Sequence, residues 1–164
     1  MPLKAKLAFV FLLLSVLGLV SGALLLPWWT GETASGSFAI YSRYMEMCIN
    51  TVCAQKSLAA AGASATPWAK MGTAMMATSL VAVGLLGICT VSIAMQRALG
   101  MVAWVAAAFA FFTGVLGLAF AWAHPEFGTW TPTWGMACTL AGSVVGAVAA
   151  SVGVASMNDS LRQN

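Results

Sequence analysis

The residues best suited to carry chemistry are two cysteines, Cys48 and Cys53, which enclose only four residues. A hairpin turn around Asn50-Thr51 would bring their Cα atoms within the separation of about 4.4 to 6.8 Å that a disulfide requires. A ring this short stabilises a fold by about 2 kcal/mol in the chain-entropy model. We therefore expect a structural staple, and a redox-active pair or two free thiols are the alternatives.

The other candidate groups are isolated in the sequence. His124 is the single histidine, so it has no second histidine with which to share a haem or a zinc ion. Cys89 and Cys138 fall within or near the ends of long apolar stretches, where we expect buried thiols, with palmitoylation of Cys89 as the alternative. The 10 methionines are scattered through the same stretches and are interpreted as packing residues. We therefore predict no metal and no cofactor.

The elements that must position these groups follow from a low charge content. The 164 residues include 7 Lys or Arg and 4 Asp or Glu, so 7% are charged, and 61% are hydrophobic. A soluble domain carries about 25% charged residues. Four stretches of 25 to 32 residues contain no Lys, Arg, Asp or Glu, and about 20 apolar residues suffice to cross a bilayer. This composition predicts a membrane protein and excludes a basic surface for nucleic acid.

We predict an all-α membrane fold, a four-transmembrane-helix bundle with a small disulfide-stapled extracellular β-sheet in the first external loop. The whole chain then forms one integral membrane domain. The spans are placed at about residues 7–26, 71–95, 99–123 and 134–157, with a first external loop at 27–70 and a second at 124–133. In the first loop, residues 38–41 and 45–52 have the aromatic and β-branched content of strands, and residues 30–37 are turn-like.

The orientation is predicted from the basic residues and the cysteines. Four Lys or Arg fall on the side of the termini and three on the other side, which favours cytoplasmic termini. A Cys48–Cys53 disulfide would require the oxidising, non-cytoplasmic side for the first loop. We therefore place both termini in the cytoplasm, in a plasma membrane or a bacterial inner membrane. As an alternative, the first stretch also resembles a cleavable signal peptide.

Small residues recur at the spacing that lets membrane helices approach closely. These helix-packing candidates are Gly18 and Gly22 in the first span and Gly142 and Gly146 in the fourth. Further small faces on the middle spans are provided by Gly84, Gly87, Gly114 and Gly117. No span contains an acidic or basic residue, which argues against transport of ions or polar substrates.

Three segments of the chain match the pattern of a known family. They are Gly87-Ile88-Cys89-Thr90, the run from Gly117 to Trp122 followed by Glu126-Phe127, and Gly128-Thr129-Trp130 with Trp134-Gly135. With four spans and a two-cysteine first loop, the chain resembles the claudin and peripheral myelin protein superfamily of tetraspan proteins. It departs from the claudin pattern at residues 43–47, Arg-Tyr-Met-Glu-Met, where claudins carry Gly-Leu-Trp, and in the closer spacing of its loop cysteines.

The resemblance implies a non-enzymatic protein that acts in lateral assembly or adhesion, or as an auxiliary subunit of a larger membrane complex. Its partners would be the lipid bilayer and, through the first external loop, other membrane proteins or its own copies. The residues expected to matter are Cys48 and Cys53 as the staple, Trp28 and Trp29 as the base of the external layer, and Tyr41 and Tyr44 as exposed contacts.

An enzymatic alternative is a quinone-linked membrane oxidase that generates disulfides, a class of similar length with four spans. Such an enzyme would use Cys48 and Cys53 as its first redox pair. It also needs a second cysteine pair in the other external loop, and residues 124–133 contain no cysteine. The sequence therefore favours the non-enzymatic interpretation.

Overall fold

The computed structural model describes residues 3–33, 36–49, 52–58, 66–97, 100–123 and 129–162. They form four long helices and one antiparallel sheet. The helices are α1 (Leu3–Val20), α2 (Thr66–Ala94), α3 (Gly100–Trp122) and α4 (Trp134–Arg162). A π-helical turn, Ser21–Leu25, continues α1.

Each helix contributes a segment that is long and apolar enough to cross a membrane. These segments are Leu3–Leu25, Pro67–Ala94, Gly100–Trp122 and Trp134–Gly153. The four predicted spans are thus confirmed as helices of spanning length, although α1 and α2 begin about one turn before the predicted positions. Pro67 lies in the first turn of α2, where its missing N–H removes no helical hydrogen bond.

The outer surface of the bundle is apolar. Leu7, Phe11, Leu14 and Leu17 follow one another along α1 at helical spacing, and each is about half exposed. A helix on the surface of a soluble protein would carry polar residues on this outward face. The helix exteriors therefore suit lipid.

Three exposed tryptophans lie near the helix ends. Trp104 is one turn from the start of α3, Trp122 is its last residue and Trp134 is the first residue of α4. They are 58%, 91% and 79% exposed. The 18 residues from Trp104 to Trp122 correspond to about 27 Å of helix, close to the hydrocarbon thickness of about 30 Å. This spacing suits two aromatic belts, one at each membrane surface.

The helices pack in a ring, in which α1 contacts α2 and α4, and α3 contacts the same two neighbours. The interior of the ring is filled mainly by small side chains. Its buried residues include Ala5, Ala8, Leu12, Leu19, Ala82, Leu86, Cys89, Ala103, Ala106, Ala110 and Ala150. Alanine at these positions allows the helices to approach closely.

The sheet lies at the end of the bundle where α1 ends and α2 begins. Its strands are β1 (Trp29–Thr33), β2 (Gly36–Ile40), β3 (Tyr44–Ile49), β4 (Val52–Ser57) and β5 (Thr129–Pro132), in the order β4-β3-β2-β1-β5. Strand β5 comes from the connection between α3 and α4, and it pairs with β1. Both predicted external segments therefore contribute to one sheet.

The strand predictions were right for only part of this sheet. Residues 38–41 fall largely in β2, and residues 45–52 fall mostly in β3, with their end in β4. Of the residues 30–37 predicted to be turn-like, 30–33 belong to β1 and 36–37 to β2, and β5 was not predicted. Strand β1 contains Gly31 and Glu32, which have low strand propensity, and it exists because it pairs with β2 on one side and β5 on the other. The predicted turn at Asn50-Thr51 and the residues around His124 lie outside the described ranges.

Candidate functional site

The junction between α1 and the sheet is fixed by hydrogen bonds to carbonyl groups of the π-helical turn. The indole Nε1 of Trp28 donates to the Gly22 carbonyl at 2.9 Å, and the Ser42 hydroxyl donates to the Ala23 carbonyl at 2.7 Å. All of these groups are buried, where an unsatisfied carbonyl would be costly. The two bonds therefore hold the sheet on the bundle.

An aromatic cluster fills the space beneath the sheet. The ring of Phe120 lies 5.3 Å from that of Trp28, 5.0 Å from that of Trp29 and 5.1 Å from that of Trp68. The indole of Trp68 also donates to the Phe120 carbonyl at 3.2 Å. Trp28 and Trp29 are buried here, so they form a base for the sheet but are not accessible to a partner protein.

Cys48 and Cys53 form a disulfide across the β3–β4 hairpin. They lie directly opposite each other in the strand register, with their Cα atoms 4.0 Å apart, somewhat closer than the range expected from the sequence. The predicted disulfide is confirmed.

Tyr41 and Tyr44 stack on each other, with ring centroids 4.3 Å apart. The backbone N–H of Tyr41 donates to the Tyr44 carbonyl at 2.9 Å, which closes the connection between β2 and β3. Both residues are half-buried, so they are less accessible than the exposed contacts expected from the sequence. Burial raises the pKa of Tyr41 above its usual value of 10.0, and the neighbouring Tyr44 and Glu46 raise this pKa further.

The four glycines singled out for helix packing lie where α1 meets α4. A Cβ atom added at Gly18 would be 3.3 Å from the Cα atom of Gly142, and one added at Gly142 would be 3.0 Å from the Leu19 nitrogen. A Cβ at Gly22 would be 2.5 Å from the Gly135 carbonyl oxygen, and a Cβ at Gly146 would meet Ser15. The two backbones approach so closely that no side chain fits between them.

The glycines of the middle spans differ from one another. A Cβ added at Gly114 would contact Ser143 at 3.1 Å, and one added at Gly117 would contact Trp28 at 3.1 Å. Gly84 and Gly87 have open space beside them, with no described atom within 4 Å of an added Cβ. The small face on α2 is therefore free of contacts with the described residues.

The outer face of the sheet is polar and concave. It forms a hollow of about 480 Å³, lined among others by Thr30, Ser37, Thr131 and the carboxylates Glu32 and Glu46. The hydroxyl of Thr131 donates to the Thr30 carbonyl at 2.9 Å. Within the described ranges, no three His, Cys, Asp or Glu side chains are placed to hold a metal ion.

The β3–β4 hairpin is the most exposed part of the sheet. All six residues of β4 are exposed, and β4 pairs only with β3 in the strand order. On the face that continues the buried side of the sheet, Met47, Ile49 and Val52 are 41%, 49% and 74% exposed. Large apolar side chains that cluster on a surface often mark an interaction site.

Two positioning residues could not have been identified from the sequence. The Ser15 hydroxyl is buried and donates to the Gly142 carbonyl at 2.6 Å, which joins α1 to α4. Ser42 has a comparable role at the junction described above. The position of Ser15 within an apolar run is only a weak signal for a bond between helices, because helical serines usually bond within their own helix. Ser42 has no such signal.

The fold and the surface chemistry define a four-helix protein of the membrane type with a stapled sheet at one end. No protein-family model and no curated protein matches the chain.

Proposed function

We propose that this chain is a non-enzymatic four-span membrane protein that assembles laterally with other membrane proteins through the β4 edge of its sheet. The observation that carries this proposal is that all six residues of β4 are exposed and that β4 lies at one end of the strand order. An exposed edge strand presents N–H and C=O groups with which another chain can pair.

The register indicates which β4 groups are directed to the edge. Opposed residues in an antiparallel pair alternate between hydrogen-bonded pairs, with Cα atoms about 5.5 Å apart, and closer pairs at about 4.5 Å. The 4.0 Å separation places Cys48 and Cys53 in the second class. The hydrogen bond from the Leu58 N–H to the Arg43 carbonyl fits the same alternation. The backbone groups of Cys53 and Gln55 are therefore directed away from β3.

The apolar residues of the hairpin add a second element to this surface. Met47 lies opposite Ala54, and Ile49 lies opposite Val52, so these side chains share one face. The Cys48–Cys53 disulfide fixes the hairpin that presents them. An edge for backbone pairing and apolar side chains for burial together suit a protein partner.

The disulfide also supports the proposed orientation. Disulfides persist in oxidising compartments, so the sheet would lie outside the cytoplasm and both termini inside it. The resemblance of the sequence to the claudin superfamily supports the same proposal. Within this proposal the partners are either further copies of the chain or a larger complex to which it is an auxiliary subunit.

The decisive variant is Gln55→Pro. Proline removes the N–H that Gln55 directs to the edge but leaves the pairing with β3 intact, and proline is tolerated at such edge positions. We expect Gln55→Pro to reduce co-purification with neighbours from native membranes, while Gln55→Ala retains it. Two differently tagged copies distinguish self-assembly from a heteromeric complex. Equal recovery of neighbours by both variants would contradict assembly through β4.

The redox alternative rests on the accessibility of the disulfide, since Cys53 is exposed. The remaining cysteines do not form a second external pair, because Cys89 lies in α2 and Cys138 in α4. Quinone-dependent oxidation of a thiol substrate by the purified protein, abolished in Cys53→Ser, would favour this alternative. We expect no such turnover.

A further inference from the structure

A basic cleft lies between the base of the β3–β4 hairpin and α2. It has a volume of about 530 Å³, and its lining includes Arg43 and Lys56 from the sheet side and Thr73 and Met76 from α2. Tyr44 also lines the cleft. No acidic residue lines the cleft in the part of the chain that the structure describes.

A third cation lies beside this cleft. Lys70 is exposed and precedes Thr73 by three residues in α2, so the two share one helix face. Arg43 and Lys56 are the only Lys or Arg residues between the first and second spanning segments, and Lys70 lies at the start of the second segment. The carboxylates of Glu32 and Glu46 line the hollow on the outer face of the sheet instead. The charges that the described residues carry at this end of the molecule are thus separated by sign.

The spacing of the two sheet cations suits a phosphate group. Arg43 is paired with Leu58 through a backbone hydrogen bond, and Lys56 precedes Leu58 by two residues. Diagonal neighbours of this kind have Cα atoms about 7 to 8 Å apart. Long side chains at that distance can both donate to the oxygens of one phosphate, which is a strong, charge-assisted interaction.

When α2 spans a membrane, the cleft opens at the depth of a lipid headgroup. Thr73 and Met76 belong to the spanning segment Pro67–Ala94, so the lower wall of the cleft is part of a membrane helix. Below them the outward face of α2 carries exposed Leu80 and the open position Gly84. The distance from Thr73 to Gly84 is about 16 Å along the helix, about half of a hydrocarbon core of about 30 Å. This length matches an acyl chain in one leaflet.

We propose that the cleft binds an anionic phospholipid, with the headgroup phosphate between Arg43 and Lys56 and an acyl chain along the outward face of α2. Lys70, one turn before Thr73 in α2, adds positive charge on the helix side of the same phosphate. Each Lys or Arg near an anionic membrane surface contributes about 1 kcal/mol of attraction. The proposal depends on the membrane location of the helices but does not require assembly through β4.

The test compares lipid binding by matched charge variants. The purified full chain in neutral detergent is titrated with phosphatidylglycerol, phosphatidylcholine or inorganic phosphate and examined by native mass spectrometry. We expect phosphatidylglycerol to bind more tightly than phosphatidylcholine. Arg43→Gln/Lys56→Gln should weaken phosphatidylglycerol binding roughly 25-fold, at about fivefold for each cation near the membrane surface. Lys4→Gln/Lys6→Gln removes the same charge near the N-terminus and should leave this binding unchanged.

A single substitution on α2 guards against misfolding of the double variant. Lys70→Gln changes an exposed side chain outside the sheet, and we expect it to weaken phosphatidylglycerol binding severalfold with an unchanged melting temperature. Equal losses of phosphatidylglycerol affinity in Arg43→Gln/Lys56→Gln and in Lys4→Gln/Lys6→Gln would overturn the proposal, because they would indicate nonspecific attraction. Equal binding of the two lipids, or competition by inorganic phosphate at equal concentration, would also overturn it.

Discussion

The close approach of the π-helical turn after α1 to the start of α4 gives the sharpest prediction of stability. At Gly22 an added Cβ atom would lie 2.5 Å from the Gly135 carbonyl oxygen and 2.5 Å from the Thr139 nitrogen. Both are backbone atoms, so they cannot rotate away. Ordinary contact requires about 3.5 Å, so in Gly22→Ala the two helices must separate locally by about 1 Å.

The expected loss in Gly22→Ala is about 1 to 3 kcal/mol in the free energy of unfolding. This is the usual penalty when an extra methyl group is forced into a packed interior. Gly84→Ala is the matched control, since it adds the same methyl group where no described atom lies within 4 Å. In a helix, alanine is favoured over glycine by up to about 1 kcal/mol, so the control should be neutral or slightly stabilising.

The measurement is reversible unfolding of both variants in bicelles, followed by tryptophan fluorescence. Thr139→Ala in the Gly22→Ala background removes the one flexible atom in contact and should restore little, because the backbone contacts remain. Equal stabilities of Gly22→Ala and Gly84→Ala would refute the argument from helix approach. Full rescue by Thr139→Ala would show that only a side chain is in the way.

Three further perturbations test the sheet and its junction with α1. Cys48→Ser opens the short disulfide ring, so denaturant unfolding should show a loss of about 2 kcal/mol in the free energy of unfolding. The unmodified protein should lose a similar amount under reducing conditions. An unchanged unfolding midpoint would contradict the staple. Glu46→Gln removes a negative neighbour, so the pKa of Tyr41 should fall toward its usual value, as followed by tyrosinate absorbance. Because the pKa of Tyr41 is raised in the folded state, the contribution of the neutral Tyr41 side chain to folding stability is present below pH 10. This contribution is lost as the pH rises through the folded pKa. Trp28→Phe deletes the hydrogen bond to the Gly22 carbonyl and should cost about 1 to 3 kcal/mol, whereas unchanged thermal unfolding would show that this bond does not hold the sheet.

The helices could be predicted because their signal is local. A stretch of 25 or more residues without charge is stable in lipid only as a helix, since each backbone group is then satisfied within the segment. The residues around Pro67 also contain a boundary signal that agrees with the start of α2. The ends of the four spans were therefore located to within about a turn.

Strands β1 and β5 could not be predicted because their signal is not local. Thr129–Pro132 is a strand only because Trp29–Thr33 lies beside it, about 100 residues away in the chain. The sequence of β1, Trp-Thr-Gly-Glu-Thr, has turn-forming residues, and pairing on both sides overrides that preference. Such pairing becomes visible only in the tertiary structure.

The glycines show the same limit within the bundle. Gly18 and Gly142 contact each other across two helices, while Gly84 on α2 faces open space. All of them lie in apolar helices and belong to similar small-residue patterns. The pattern predicts that close approach is possible, and the arrangement of the helices decides where it occurs.

The β4 edge and the basic cleft adjoin each other at Gln55. Its backbone groups are directed to the edge, and the same residue also lines the cleft. A loss of assembly in Gln55→Pro could therefore arise from a displaced lipid as well as from a missing N–H. Lys70 separates the two causes, because it lies on α2 and contributes no backbone group to the sheet. If Lys70→Gln weakens lipid binding but leaves assembly intact, the edge acts through its own hydrogen bonds. If both fall together, the lipid is part of the contact between neighbours.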